Sequence, residues 1–162
     1  MIIWSLGRLA SHETGMKAKK ILMEGLQSPH WRVRAAACTS IANFGPKLAD
    51  CCLPILMKLL RDGSQNKQIV AETIISLGPR GETEMISLLR THESKNRILN
   101  NNKSKECIVK SLALANIEHP NIDFIIETLF YTYSQDQSAS IRKASLIALD
   151  ILHKKSEKLQ HE

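Results

Sequence analysis

Trp31-Arg-Val-Arg-Ala-Ala-Ala-Cys-Thr-Ser-Ile-Ala-Asn-Phe-Gly45 places apolar or small residues at Val33, Ala36, Ala37, Ser40, Ile41 and Phe44. These positions fall at i, i+3, i+4, i+7, i+8 and i+11, the single stripe of a helix that buries one face. The stretch then recurs. Gln65 to Gly78 lines up 33 residues later, with Ile41 matching Ile74, Phe44 matching Leu77 and Gly45 matching Gly78. Lys105-Glu-Cys-Ile-Val-Lys-Ser-Leu112 follows after another 38 residues, and Arg142-Lys-Ala-Ser-Leu-Ile-Ala-Leu149 after 37 more. A chain that repeats at such a period is an array of stacked supersecondary units. Ile3-Trp-Ser-Leu-Gly7 matches Ile41 to Gly45 as well, so the sequence opens in mid-repeat.

Between the copies runs a second helical periodicity: Ile21, Leu22 and Leu26; Leu53, Leu56, Leu59 and Leu60; Met85, Leu88 and Leu89; Ile122, Ile125, Ile126 and Leu129. Each unit therefore reads as a helical hairpin. Gly45 and Gly78 suit the left-handed position that ends a helix, and Pro46 and Pro79 suit the first turn of the next. Asp62-Gly-Ser and Gln135-Asp-Gln-Ser read as the polar turns inside two hairpins, offering Ser and Asp as N-caps. The reading is one array over 1–162, with a partial repeat at 1–9, hairpins at 16–45, 47–78, 81–117 and 121–154, and a polar tail at 155–162.

The core Trp31-Arg-Val-Arg-Ala-Ala-Ala, with an aliphatic residue four beyond Ala37 and a closing Phe-Gly, resembles the second helix of a HEAT repeat, whose pattern is V-R-x-x-A-x-x-x-L-x-x-L-G. Ile141-Arg-Lys-Ala-Ser-Leu-Ile-Ala-Leu fits it too. The copy ending at Gly78 departs with Lys67 for the arginine and Val70 for the alanine, and the copy at Lys105 has Asn116 in place of the glycine. The resemblance implies an all-α fold, a right-handed α-solenoid of antiparallel hairpins with an armadillo-type superhelix, and a role in binding proteins. Ankyrin repeats share the 33-residue period, but their Thr-Pro-Leu-His signature is absent.

Composition agrees with helices. Hydrophobic residues make up 43% and charged residues 23%, a folded chain's balance, while 4% aromatics, 7 Gly and 5 Pro offer little for a turn-rich β fold. Of the four cysteines, Cys51 and Cys52 are adjacent and Cys38 and Cys107 isolated, without metal-ligand spacing, so reduced thiols are expected. The longest apolar run, Cys51–Met57, is broken by Pro54 and falls far short of the roughly 18 residues of a membrane span. No leader peptide is legible at the start. A cytoplasmic protein is expected, with the nucleus as the alternative, and Asn102-Lys103-Ser104 then reads as a chance sequon.

Equivalent positions on successive second helices form columns. One is basic: Arg34, Lys67, Lys105 and Arg142. It has two readings, a structural ladder bonded to the inter-helix turns, where Asp62 and Asp136 offer acceptors, or a stripe facing a partner. Two further columns are read as exposed: Cys38, Ala71, Val109 and Leu146; and Thr39, Glu72, Lys110 and Ile147. Leu146, Ile147 and Ile151 cannot all face their own helix's core stripe, so some must meet another repeat, a cap or a partner. Trp31 is expected to pack between repeats. Of Phe130, Tyr131 and Tyr133, one or two should pack the turn, the rest forming an aromatic patch. His92 to Asn102 reads as an inserted polar loop. The apolar residues Ile2, Ile3, Trp4, Leu6 and Leu9 belong to a second helix lacking its first, which points to a fragment or short isoform and to self-association through uncapped ends.

No phosphate loop and no triad-like cluster can be assembled, and no cofactor or metal is expected. Deoxyhypusine hydroxylases resemble HEAT arrays but carry His-Glu pairs about seven residues before the closing glycine. Here those positions are Cys38 and Ala71, while His12-Glu13, His92-Glu93 and His161-Glu162 fall elsewhere. Bilin lyases of the same repeat type offer no motif to compare. The function expected is a non-enzymatic scaffold that binds a peptide or domain on its second helices and inserted loop. The alternative, suggested by 22 Lys+Arg against 16 Asp+Glu, is a nucleic-acid-contacting solenoid using the basic column and Lys17 to Lys20.

Overall fold

The structure is a computed structural model that describes residues 12–61, 66–90 and 102–160, with side chains from Lys17 onward. The expected partial repeat at 1–9 and most of the inserted loop lie outside these residues. The described chain is all α: α1 (His12–Leu26), α2 (Trp31–Phe44), α3 (Ala49–Arg61), α4 (Lys67–Ser76), α5 (Pro79–Arg90), α6 (Asn102–Leu112), α7 (Ile122–Gln135) and α8 (Ala139–Gln160). It divides into two compact units, Met1–Gly81 and Glu82–Glu162.

In the first unit α1 pairs with α2 and α3 with α4, and the two second helices, α2 and α4, pack on each other. The stripe read from Val33 to Phe44 explains why: Ala37 and Ile41 are fully buried, as are Leu22 and Leu26 of α1, Leu56 and Leu60 of α3, and Ile74 of α4. Each such Leu or Ile contributes about 1.5–3 kcal/mol by leaving water. In the second unit α8 packs on both α7 and α6, closing over Ile108, Leu112, Ile125, Leu129 and Ile141, all at 0% exposure.

Helix punctuation matches the sequence at one glycine and refines it at the other. Gly78 has φ 77° and Pro79 begins α5. Gly45 has the expected positive φ of 62°, but its ψ of −145° is extended rather than left-handed, a region essentially restricted to glycine. That geometry carries the chain into a 3₁₀ turn, Gly45–Leu48, with Pro46 in its first positions, so α3 starts at Ala49 and not directly after Pro46. α4 begins behind Asn66, whose φ is 73° and whose side chain caps nothing. The expected Asp62 and Ser64 lie outside the described residues.

The polar tail read at 155–162 requires correction, because α8 continues as helix to Gln160. Lys154 and Asp150 form an i,i+4 ion pair, Nζ to Oδ2 2.6 Å, which favours helix in a polar segment. Lys155 is half-buried and donates from Nζ to the carbonyls of Ala113 at 2.8 Å and Ala115 at 3.2 Å, just beyond the end of α6. A lysine there satisfies carbonyls that a helix end leaves without partners.

Candidate partner-binding surface

The basic column is anchored inward. Arg34 Nη1 donates to the carbonyls of Ser28 at 2.7 Å and Pro29 at 2.9 Å, in the turn between α1 and α2. Arg142 Nη1 repeats this on Asp136 at 2.8 Å and Gln137 at 3.1 Å, between α7 and α8. Each guanidinium reaches back five and six residues and clamps the turn that sets its own helix in place. The Asp136 carboxylate, expected to serve Arg142, instead accepts Lys105 from the preceding second helix, Nζ to Oδ2 3.0 Å, with both side chains about nine-tenths buried. Its other oxygen accepts the Ser138 N–H at 2.9 Å. Lys67, half-buried, opens α4. Because hydrogen bonds to charged groups contribute about 1.5–3 kcal/mol, Arg34→Gln and Arg142→Gln should each lower stability by roughly that amount. Urea unfolding followed by circular dichroism checks this, and a partner-facing stripe would leave the midpoint unmoved.

The next column was read as exposed, and for three of its four members the structure corrects this. Cys38 is 1% exposed and Ala71 and Val109 0%, whereas Leu146 is 51% exposed. In the first unit α4 lies over α2 and Thr73 hydrogen-bonds the Cys38 thiol. In the second, α8 packs on α6, which carries Val109. On α2 and on α6 the column thus marks the side that meets the other second helix of the same unit. The neighbouring column is open at Thr39, Lys110 and Ile147 and half-open at Glu72, with Lys110 paired to Glu106 on its own helix.

Trp31 was expected to pack between repeats. It is 43% exposed, with the Arg32 guanidinium carbon 5.4 Å from the ring centroid, a cation–π contact at the surface. Phe130, Tyr131 and Tyr133 all remain exposed, so none of the three is consumed by the turn. Phe130 and Tyr133 face one another at 6.4 Å and 52°. On the same helix Phe124 lies under Arg90, 5.6 Å from guanidinium carbon to ring centroid, while Arg90 also bonds Thr128 and Glu127, each at 2.8 Å. Between α7 and α8 opens a groove of about 450 Å³, lined by Ile117, Ile122, Ile126, Leu149, Leu152 and His153.

A family model described as HEAT repeats matches residues 19–101, just over half of the chain. The chain belongs to the HEAT repeat family. No curated protein matches it in sequence. HEAT repeats are commonly protein-interaction scaffolds, and the family is generally non-catalytic.

Burial pushes the Cys38 thiol up to about 11 and Cys52 up to about 12, so at neutral pH they are thiols and not nucleophilic thiolates. Among the described residues no three His, Cys, Asp or Glu side chains converge as metal ligands, and no helix is long and apolar enough to cross a membrane. His92-Glu93 and His161-Glu162 lie outside the described residues. One polar cluster escaped the sequence altogether. Glu82, fully buried in the first turn of α5, meets His119 Nδ1 at 2.6 Å and Asn121 Nδ2 at 3.4 Å, and Asn121 also donates to Thr83 at 3.2 Å. It fastens the α6–α7 connection to α5. Partners 37 residues apart in a non-repeating turn leave no periodic signal.

Proposed function

We propose that this HEAT protein is a non-catalytic scaffold that binds a protein partner through the outer surface of α7 and α8, in the cytoplasm, where its cysteines stay reduced. One observation carries the reading. Of the twelve large hydrophobic side chains exposed among the described residues, nine lie on these two helices: Phe124, Ile126, Phe130, Tyr131, Tyr133, Leu146, Ile147, Ile151 and Leu159. A concentration of exposed apolar surface marks interaction sites, and aromatic residues are the side chains from which binding hot spots are most often built. Protein is favoured over nucleic acid because Arg34, Lys105 and Arg142 are already engaged by internal acceptors, leaving little of the column for phosphates.

A photo-crosslinking residue at Tyr131 should give a discrete adduct with another protein. The double substitution Phe130→Asp/Tyr131→Asp should weaken that complex about 30-fold or more, the scale of two hot-spot side chains. The melting temperature should stay within a few degrees, because exposed positions away from caps and cores shift stability by about 0.5 kcal/mol or less. Binding untouched by the double substitution but sensitive to salt and to nuclease treatment would overturn the reading.

A further inference from the structure

The exposed hydrophobic side chains of α7 and α8 stand among opposite charges, and those of α8 permit a more specific assignment, which rests on the proposed scaffold role. α7 carries Asp123 and Glu127 and no lysine or arginine, whereas α8 carries five bases against Asp150 and Glu157. Arg142 and Lys155 are turned inward onto backbone carbonyls, which leaves Lys143, Lys154 and Lys158 at the surface. Lys143, Ile147, Ile151, Lys154 and Lys158 fall at i, i+4, i+8, i+11 and i+15, one stripe along the helix. Ile147 is 51% and Ile151 38% exposed. The stripe is thus an aliphatic centre bracketed by ammonium groups, roughly 22 Å long at the helical rise.

This face points away from the stacking direction. With Lys105 aligned on Arg142, Lys110 and Leu114 are the counterparts of Ile147 and Ile151, and both stay exposed although α8 packs on α6. Thr39 and Asn43, the counterparts on α2, likewise stay exposed beside the contact with α4. Exposure of the α8 stripe therefore does not depend on what stacks against that helix. A phosphate chain would neutralise the lysines but leave both isoleucines against water, so a nucleic acid fits only half of the stripe. A basic segment would oppose like charges across the contact, which is strongly unfavourable. Both halves are satisfied by an amphipathic helix with aliphatic side chains at its centre and carboxylates towards its ends.

We infer that the α8 stripe receives an acidic amphipathic helix of the protein partner, its aliphatic side chains on Ile147 and Ile151 and its Asp or Glu side chains on Lys143 and Lys158. Lys154 already pairs with Asp150 and steadies the centre. The probe is a labelled helical peptide of about 18 residues, leucines at its centre and glutamates at its ends, long enough to span the stripe. Its binding to the full chain is followed by fluorescence anisotropy, beside a twin with lysines in place of the glutamates. The acidic peptide should bind about tenfold more tightly than the basic twin, and Lys143→Glu with Lys158→Glu should invert that order. Ile147→Ser with Ile151→Ser should weaken the acidic peptide about tenfold and keep the charge preference. Helical circular dichroism and melting temperature should be unchanged in both double variants, because all four positions are exposed. Equal binding of the two peptides, binding that neither variant moves, or an oligonucleotide of equal charge that binds more tightly than the acidic peptide overturns the inference. Self-association of the chain that the charge reversal abolishes also overturns it, since a second copy would then occupy the face. If the peptide fails while the Tyr131 crosslink still forms, the helix assignment falls and the scaffold reading stands; if the crosslink fails too, both fall.

Discussion

Lys105→Met should be among the most destabilising single substitutions in the chain, costing about 3–5 kcal/mol. The ammonium lies 3.0 Å from Asp136 Oδ2 and both groups are about nine-tenths buried. Removing it strands a carboxylate out of water, with the backbone N–H of Ser138 still donating to its other oxygen. The loss is large because the uncompensated charge has been desolvated, not because the pair itself is strong. For a domain of this size the expected fall in melting temperature is roughly 6–20 °C. Adding Asp136→Asn should restore part of it, since a neutral amide is easier to bury than a lone carboxylate. Lys154→Met, which breaks the exposed pair with Asp150, supplies the control and should leave the melting temperature unchanged. Equal effects at Lys105 and Lys154 would show that the buried pair holds nothing together.

Gly81→Ala should destabilise by about 3 kcal/mol or more, against the direction of helix propensity. Gly81 lies in the first turns of α5, where alanine is ordinarily better by about 1 kcal/mol. Here a Cβ would overlap the Ile74 carbonyl oxygen and come within 2.8 Å of its carbon. Both obstacles are backbone, which cannot rotate aside, so α5 must move off the end of α4. The Leu77 N–H bonds that same Ile74 oxygen at 3.1 Å, so amide exchange at Leu77 should accelerate together with the drop in urea midpoint. A neutral or stabilising Gly81→Ala would mean that the helices separate at no cost.

The sequence carried what repeats and little of what does not. Helix faces and the inward bonds of Arg34 and Arg142 were legible because a period of about 3.6 within a larger period leaves the same residue type at the same place. The column of Cys38, Ala71 and Val109 was misread as exposed. A single-helix wheel knows one neighbour, while a stacked hairpin has two, and small or apolar residues there prepare for the second. Asp136 was recognised as an acceptor but assigned to Arg142 on its own helix; its partner Lys105 lies 31 residues earlier, a distance only stacking closes. The segment after Leu152 looked like a tail because it is polar, yet Lys155 ends on two carbonyls beyond α6. The exposed apolar surface of α7 and α8 was half visible: Leu146 and Ile147 stood out, but the openness of all three aromatics depends on how the turn packs.

The bond from Lys155 back to Ala115 spans 40 residues and imposes a timetable on biosynthesis. Chains emerge at about 5–20 residues per second, so the carbonyls beyond α6 wait roughly 2–8 s for the residue that closes them. Throughout that interval α6 and α7 lack the helix that packs on both, their apolar stripes open to other nascent chains and to chaperones. Folding of the second half of this protein is in that sense timed by its last helix.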